Sequence, residues 1–125
     1  MKLKLGIVTG RNREEARFAL RRFQIDSLID SMITIDETPK KFKKPDPWGL
    51  LKVAAKLGKN LRYLYVGDLP DDILAAQRAA KKIKINSVGY LAASESPKEM
   101  ARELKHAGAD FISKNSKELM NVITK

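Results

Sequence analysis

The sequence has no cysteine, few aromatic residues (6%) and no long apolar run. Without cysteine it can form neither a disulfide framework nor a thiolate metal site. Its longest apolar runs are segments such as Leu5 to Val8 and Tyr63 to Val66, far below the roughly 20 residues of a membrane-spanning helix, so no membrane association is expected. No basic stretch followed by an apolar segment opens the chain, which removes a secretory signal and makes a cytoplasmic location the expectation. The scarce aromatics argue against single-strand nucleic-acid binding, which combines basic grooves with several stacking platforms. Acid is also in short supply: 15 Asp+Glu face 25 Lys+Arg, a formal charge of +10. That excess attracts phosphates, nucleic acid or an acidic partner without choosing among them.

What remains is 125 residues, 43% of them hydrophobic, enough for one domain with a buried core. Strand-like and helix-like segments alternate without repeats. Leu3 to Thr9 reads as a buried strand ending at Gly10. Asn12 then caps a helix, with Glu15 three residues on and Ala16, Ala19, Leu20 and Phe23 on one face. Met32 to Ile35 is a second short strand, followed by a polar loop from Asp36 to Asp46. Asp46 and Pro47 stand at the cap and first position of a helix carrying Leu50, Leu51, Ala54 and Leu57, which Gly58 ends. A third strand, Leu61 to Val66, leads through Gly67-Asp68 into a helix from about Pro70 to Lys82, with Ile73, Ala76 and Ala80 inward. A fourth strand, Ile85 to Leu91, precedes a helix opened by Ser96-Pro97-Lys98-Glu99 and closed by Gly108. Asp110 to Ser113 is the last strand, and Asn115 caps a terminal helix bearing Leu119, Met120 and Ile123. With no hairpin signal, the pattern predicts a doubly wound, Rossmann-like α/β fold: a parallel sheet with helices on both faces, in a single domain over residues 1–125.

Such sheets bind ligands beyond the carboxyl ends of their strands, which selects Thr9, Gly10 and Arg11, then Asp36, then Asp68, Asp71 and Asp72, with Lys44 at the end of a loop that can reach the same edge. Asp68 and Asp72, four residues apart across a strand-to-helix turn, can serve a hard cation such as Mg²⁺, which takes one or two carboxylates and keeps other positions for water and phosphate. Asp71 is accounted for by the dipole of the following helix, whereas a carboxylate at the end of an apolar strand, Asp68, is not. Thr9 and Gly10 offer a hydroxyl and backbone amides to an anion at a helix start. Taken singly, Thr9 reads as an ordinary β-branched strand residue and Lys44 as one more solvated lysine. His106 reads as a surface residue near a helix end, Trp48 as packing against a helix start, and the basic run Lys40 to Lys44 as a solvated loop.

Taken together, Gly6-Ile7-Val8-Thr9-Gly10-Arg11, Lys44-Pro45-Asp46-Pro47 and Val66-Gly67-Asp68-Leu69-Pro70-Asp71-Asp72-Ile73 resemble, in order and spacing, the second, third and fourth motifs of the haloacid dehalogenase-like superfamily, and most closely its phosphoglycolate phosphatase-like branch. The resemblance implies that Thr9 hydrogen-bonds a transferring phosphoryl group, that Lys44 neutralises its charge, and that Asp68 and Asp72 hold Mg²⁺. The substrate it implies is a phosphorylated small molecule.

One departure bears on activity. Family members begin with a strand ending in Asp-x-Asp, whose first aspartate attacks phosphorus. The aspartates here, at 26, 30, 36, 46, 68, 71, 72 and 110, include no such pair. The expectation is a core domain without the nucleophile strand or the cap segment, inactive by itself or active only with a complementing N-terminal portion, because no phosphoaspartyl intermediate can form without the attacking carboxylate. Asp36 is the single internal candidate for a substitute. The absent strand would lie between those ending at Thr9 and Asp68, so dimerisation or pairing with a separate N-terminal portion is expected. The alternatives are a non-catalytic phosphate- or Mg²⁺-binding or regulatory module and, on charge alone, a basic nucleic-acid-associating protein.

Overall fold

The computed structural model describes residues 3–124. Strands and helices alternate, every strand pairing is parallel, and the chain divides into two compact units, Met1–Leu61 and Arg62–Lys125. The parallel α/β class expected from the sequence is the one observed.

The first unit contains β1 (Gly6–Val8), α1 (Arg13–Arg22), β2 (Ser31–Ile33) and α2 (Trp48–Leu57), with β1 and β2 in register from Gly6 opposite Ser31 to Val8 opposite Ile33. Helix α2 packs on both strands through Leu50, Val53, Ala54 and Leu57, all buried, the i, i+3, i+4, i+7 spacing of a single helical face. Its first turn lies so close to β1 that a Cβ on Gly49 would stand 2.8 Å from Val8 Cγ1.

Three expectations for this unit need correction. The predicted strand from Leu3 enters the ladder only at Gly6; Leu3 and Leu5 are exposed, and the Leu5 N–H bonds the Asp30 carboxylate at 2.7 Å instead of a strand backbone. Ile35, assigned to β2, belongs to a short 3₁₀ turn over Ile35–Glu37, because Thr34 and Glu37 cap each other reciprocally and end the strand at Ile33. Of the apolar face predicted for α1, only Ala16 is buried; Ala19 is exposed and Phe23 is 68% exposed.

The second unit contains β3 (Tyr63–Gly67), α3 (Pro70–Ala79), β4 (Ile85–Tyr90), α4 (Pro97–Ala107), β5 (Phe111–Ser113) and α5 (Ser116–Ile123), with strand order β3-β4-β5. Among the described residues β3 pairs only with β4, as β1 pairs only with β2. The core joins Ile73 of α3, Leu91 after β4, and Leu104 and Ala107 of α4, with Met100 and Ile112 packed against them. Buried aliphatic side chains of this kind contribute about 1.5–3 kcal/mol each. Helix α4 ends where Gly108 turns left-handed at φ 107°, a conformation open to glycine. Inward positions differ slightly from expectation: Ala75 and Ala79 are buried on α3, whereas Ala80 lies past its end and is exposed.

Candidate active site

In the first unit, the loop after β1 folds back on itself. The Thr9 hydroxyl accepts the Arg11 N–H at 3.1 Å, and the Thr9 N–H donates to the Ile33 carbonyl at 3.0 Å. A Cβ on Gly10 would meet nothing within 4 Å, so the backbone there is open to approach. Lys44 comes to this loop from 36 residues further along the chain: its Nζ donates to the Val8 carbonyl at 2.9 Å, one residue before Thr9. The expected start of α2 moves by one residue: Pro47 is the N-cap and Trp48 the first helical residue, while the Asp46 carboxylate, one position earlier, accepts the Trp48 N–H at 2.8 Å.

Thr9, Gly10 and Lys44 line one cavity of about 330 Å³ together with Lys43, Phe42, Ile35 and Leu50. Phe42 stacks on Trp48, the ring centroids 5.9 Å apart and the planes 7° from parallel, while the ammoniums of Lys41 and Lys52 lie over the two rings. The predicted packing role of Trp48 is thus met by a partner the sequence reading did not name. Two threonines, two lysines and Asp46 are among the residues lining the cavity, and hydroxyls, backbone N–H groups and ammoniums suit anionic oxygen.

The same unit holds a second feature missed in the sequence. The Arg13 guanidinium forks onto the Glu37 carboxylate, with Nε 3.2 Å from Oε2 and Nη2 in closer contact with Oε1. The same carboxylate accepts the Thr34 N–H at 2.9 Å and the Thr34 hydroxyl at 2.8 Å, and Thr34 is fully buried. Held chiefly by the Arg13 hydrogen bonds and then by Thr34, the Glu37 carboxyl is lowered to about 2, while Arg13 is raised by the same hydrogen bond. Asp36, the internal candidate for a substitute nucleophile, accepts the Arg13 N–H at 2.9 Å at the start of α1. The Thr34-x-x-Glu37 spacing is itself a capping signature and was open to reading in the sequence.

In the second unit, β3 delivers Asp68 and α3 delivers Asp72. Asp72 is 8% exposed. Its Oδ2 accepts the backbone N–H groups of Asp68 and Leu69 at 3.2 and 3.1 Å, and the Tyr65 hydroxyl reaches Oδ1 at 3.4 Å. Asp68 is exposed, and its carboxylate makes no hydrogen bond or ion pair among the described residues. Asp71 is exposed in the first turn of α3, as its dipole reading requires. Among the described residues no group of three or more carboxylates or imidazoles converges. An exposed and a buried carboxylate at one turn fit a cation such as Mg²⁺, which keeps most of its ligands as water or phosphate oxygen, and would not make a closed protein cage. His106 is exposed in the last turn of α4.

Residues 1–89 match the haloacid dehalogenase-like hydrolase family. The chain belongs to that family. Relatives similar to this haloacid dehalogenase-like chain include the pyrophosphatase PpaX of Halalkalibacterium halodurans, 29% identical over 121 residues, 96% of this chain and 52% of that protein. PpaX of Bacillus cereus is 36% identical over 80 residues, 63% of this chain and 36% of the relative. Among solved structures, a subfamily IA hydrolase of the same superfamily from Geobacter sulfurreducens superposes with a TM-score of 0.71 at 26% identity, covering 96% of this chain and 52% of the other. A haloacid dehalogenase-like protein of unknown function from Agrobacterium tumefaciens superposes at 0.83 with 21% identity, over 99% of this chain and 55% of the other, a likeness of fold. This haloacid dehalogenase-like chain thus spans at most about half the length of these relatives.

Proposed function

We propose that the chain supplies the phosphate- and metal-handling residues of a Mg²⁺-dependent phosphohydrolase acting on a phosphate monoester or diphosphate. The observation that carries the reading is the 2.9 Å hydrogen bond from Lys44 Nζ to the Val8 carbonyl, which brings the one lysine of the Lys-Pro-Asp-Pro segment beside Thr9 in a cavity with open backbone. In phosphoryl transfer the protein's work is mainly positioning and stabilising charge on the equatorial oxygens. Thr9 and the Gly10 amide hydrogen-bond those oxygens, and Lys44 neutralises their charge. Asp68 and Asp72 would hold Mg²⁺, a cation that takes one or two carboxylates and leaves its other positions to water and phosphate oxygen. The relatives named as pyrophosphatases favour a diphosphate among the substrates.

The chain contains no Asp-x-Asp pair, so the attacking carboxylate comes from a further segment, on a longer form of this protein or on a separate partner. A second copy of this chain would not provide it. Hydrolysis of p-nitrophenyl phosphate and of pyrophosphate with Mg²⁺, by the chain alone and mixed with a segment bearing the family's Asp-x-Asp strand, tests the reading. Turnover only in the mixture, lost on Lys44→Ala, is the expected result. Turnover by the chain alone that disappears on Asp68→Asn would overturn the claim of a missing nucleophile. Binding of phosphate and Mg²⁺ without turnover in any mixture would instead establish a non-catalytic binding module.

A further inference from the structure

We propose that Arg13 and Glu37 form a positioning pair that holds the loop bearing Thr9 and the loop leading to Lys44 at the spacing a bound phosphate requires. The inference rests on the phosphate reading of Thr9 and Lys44 and adds residues that no motif assigns.

The two loops follow adjacent parallel strands, β1 and β2. Besides the Lys44 bond to Val8, a set of hydrogen bonds joins the two segments around the strand ends. The Ile35 N–H donates to the Arg11 carbonyl at 3.1 Å, the Arg13 N–H to Asp36 at 2.9 Å, and Arg13 Nη2 to the Met32 carbonyl at 3.3 Å. The Arg13 fork onto Glu37 closes this set. Glu37 is in turn pinned to the fully buried Thr34 by two hydrogen bonds. A guanidinium–carboxylate fork fixes orientation as well as distance. One end of the fork lies four residues after Thr9, and the other, Glu37, closes the 3₁₀ turn that follows β2 on the way to Lys44. Neither side chain lines the cavity holding Thr9 and Lys44, so the pair acts through the loops and does not touch the ligand. A displacement of about 1 Å at such a site costs up to about a hundredfold in function, which is the scale of error the fork prevents.

The test compares the full chain with Glu37→Gln and Arg13→Lys, using inorganic phosphate as the probe. Electrostatics and positioning predict opposite signs for Glu37→Gln. Removing a negative charge near an anion site should tighten phosphate binding if only the field matters; loss of the fork should weaken it, by about tenfold. Arg13→Lys keeps the charge and loses the fork, and should also weaken binding. Amide hydrogen exchange supplies the second reading. Exchange should accelerate at Thr9 and Ile35, whose N–H groups join the two loops, and stay unchanged at Gly58, which bonds Ala54 at the end of α2 in the same unit. Equal or tighter phosphate binding by both variants, or unchanged exchange at Thr9 and Ile35, overturns the proposal. Acceleration at Gly58 to the same degree would show a general loss of stability and overturn it equally. A wild-type chain that binds no phosphate would defeat the phosphate reading of the site, while the exchange data would still decide whether the pair orders the loops.

Discussion

The Asp72 carboxylate accepts the backbone N–H of Asp68, at 3.2 Å, from a position that is itself 8% exposed. One carboxylate of the acidic pair therefore shapes the turn that presents the other. Asp72 is a structural residue of the β3–α3 turn as well as a candidate metal ligand, whereas Asp68 is exposed and bears no such load. Their substitutions should separate. Asp72→Ala leaves two backbone donors without their acceptor and should cost about 1–3 kcal/mol, read as a lowered urea midpoint. Asp68→Asn should leave that midpoint within about 0.5 kcal/mol of wild type while abolishing the Mg²⁺-induced shift in melting temperature. Equal destabilisation by both would refute the division of labour.

Gly67 makes the same turn possible. A Cβ there would collide with the Asp72 side chain, standing 2.8 Å from its carboxyl carbon and closer still to its Cβ. The requirement is close approach, since the Gly67 backbone is not left-handed. Gly67→Ala should therefore destabilise by about 1–3 kcal/mol, the range of an overpacked site, and weaken Mg²⁺ binding with it. Denaturant unfolding and a metal titration on the same preparation check both effects; a stable variant with unaltered Mg²⁺ affinity would show that the turn yields.

Lys44 carries the strongest claim to a direct role with phosphate. Its Nζ donates to the carbonyl at the end of β1, and the residue lines the cavity that Thr9 and Gly10 also line. Lys44→Met keeps the length and apolar stem of the side chain and should lower phosphate affinity by at least about tenfold, given charge-assisted hydrogen bonds worth about 1.5–3 kcal/mol. Lys43→Met, an exposed neighbour on the same cavity, should lower it less. A phosphate titration followed by chemical shift compares the two, and equal losses would reduce Lys44 to a contributor of general positive field.

The strand-end positions of Thr9 and Asp68 could be read from the sequence because each closes an apolar run beside glycine, and strand ends in parallel sheets face ligands; Lys44, alone a lysine in a polar loop, stands out only through the family resemblance. Other features resisted for physical reasons. Arg13 meets Glu37 across 24 residues, and the register that opposes β1 to β2 is not written in either segment. Phe42 finds Trp48 through a loop with no periodicity. Local rules also misjudged Phe23, whose helical spacing marks it as inward although it is 68% exposed; amphipathic spacing states which side could be buried, and burial needs something to cover it.

The Arg13–Glu37 pair also makes an acid-stability prediction. Glu37 is lowered from 4.5 to about 2, first by the hydrogen bonds from Arg13 and then by those from Thr34. A depressed carboxyl stabilises the folded state fully above its ordinary value, and that stabilisation is lost as pH falls through the window from about 4.5 to about 2, because the unfolded chain takes up the proton first. Glu37→Gln has no proton to take up. Wild type should be the more stable near pH 7, by about 1 kcal/mol once solvent screening of a side chain 32% exposed is allowed for. The gap should narrow progressively below pH 4.5 and approach zero near pH 2. Urea midpoints of the two chains at pH 7, 4 and 2.5 measure it. A gap that stays constant across the three would mean that Arg13 and Thr34 do not hold the charged form of Glu37.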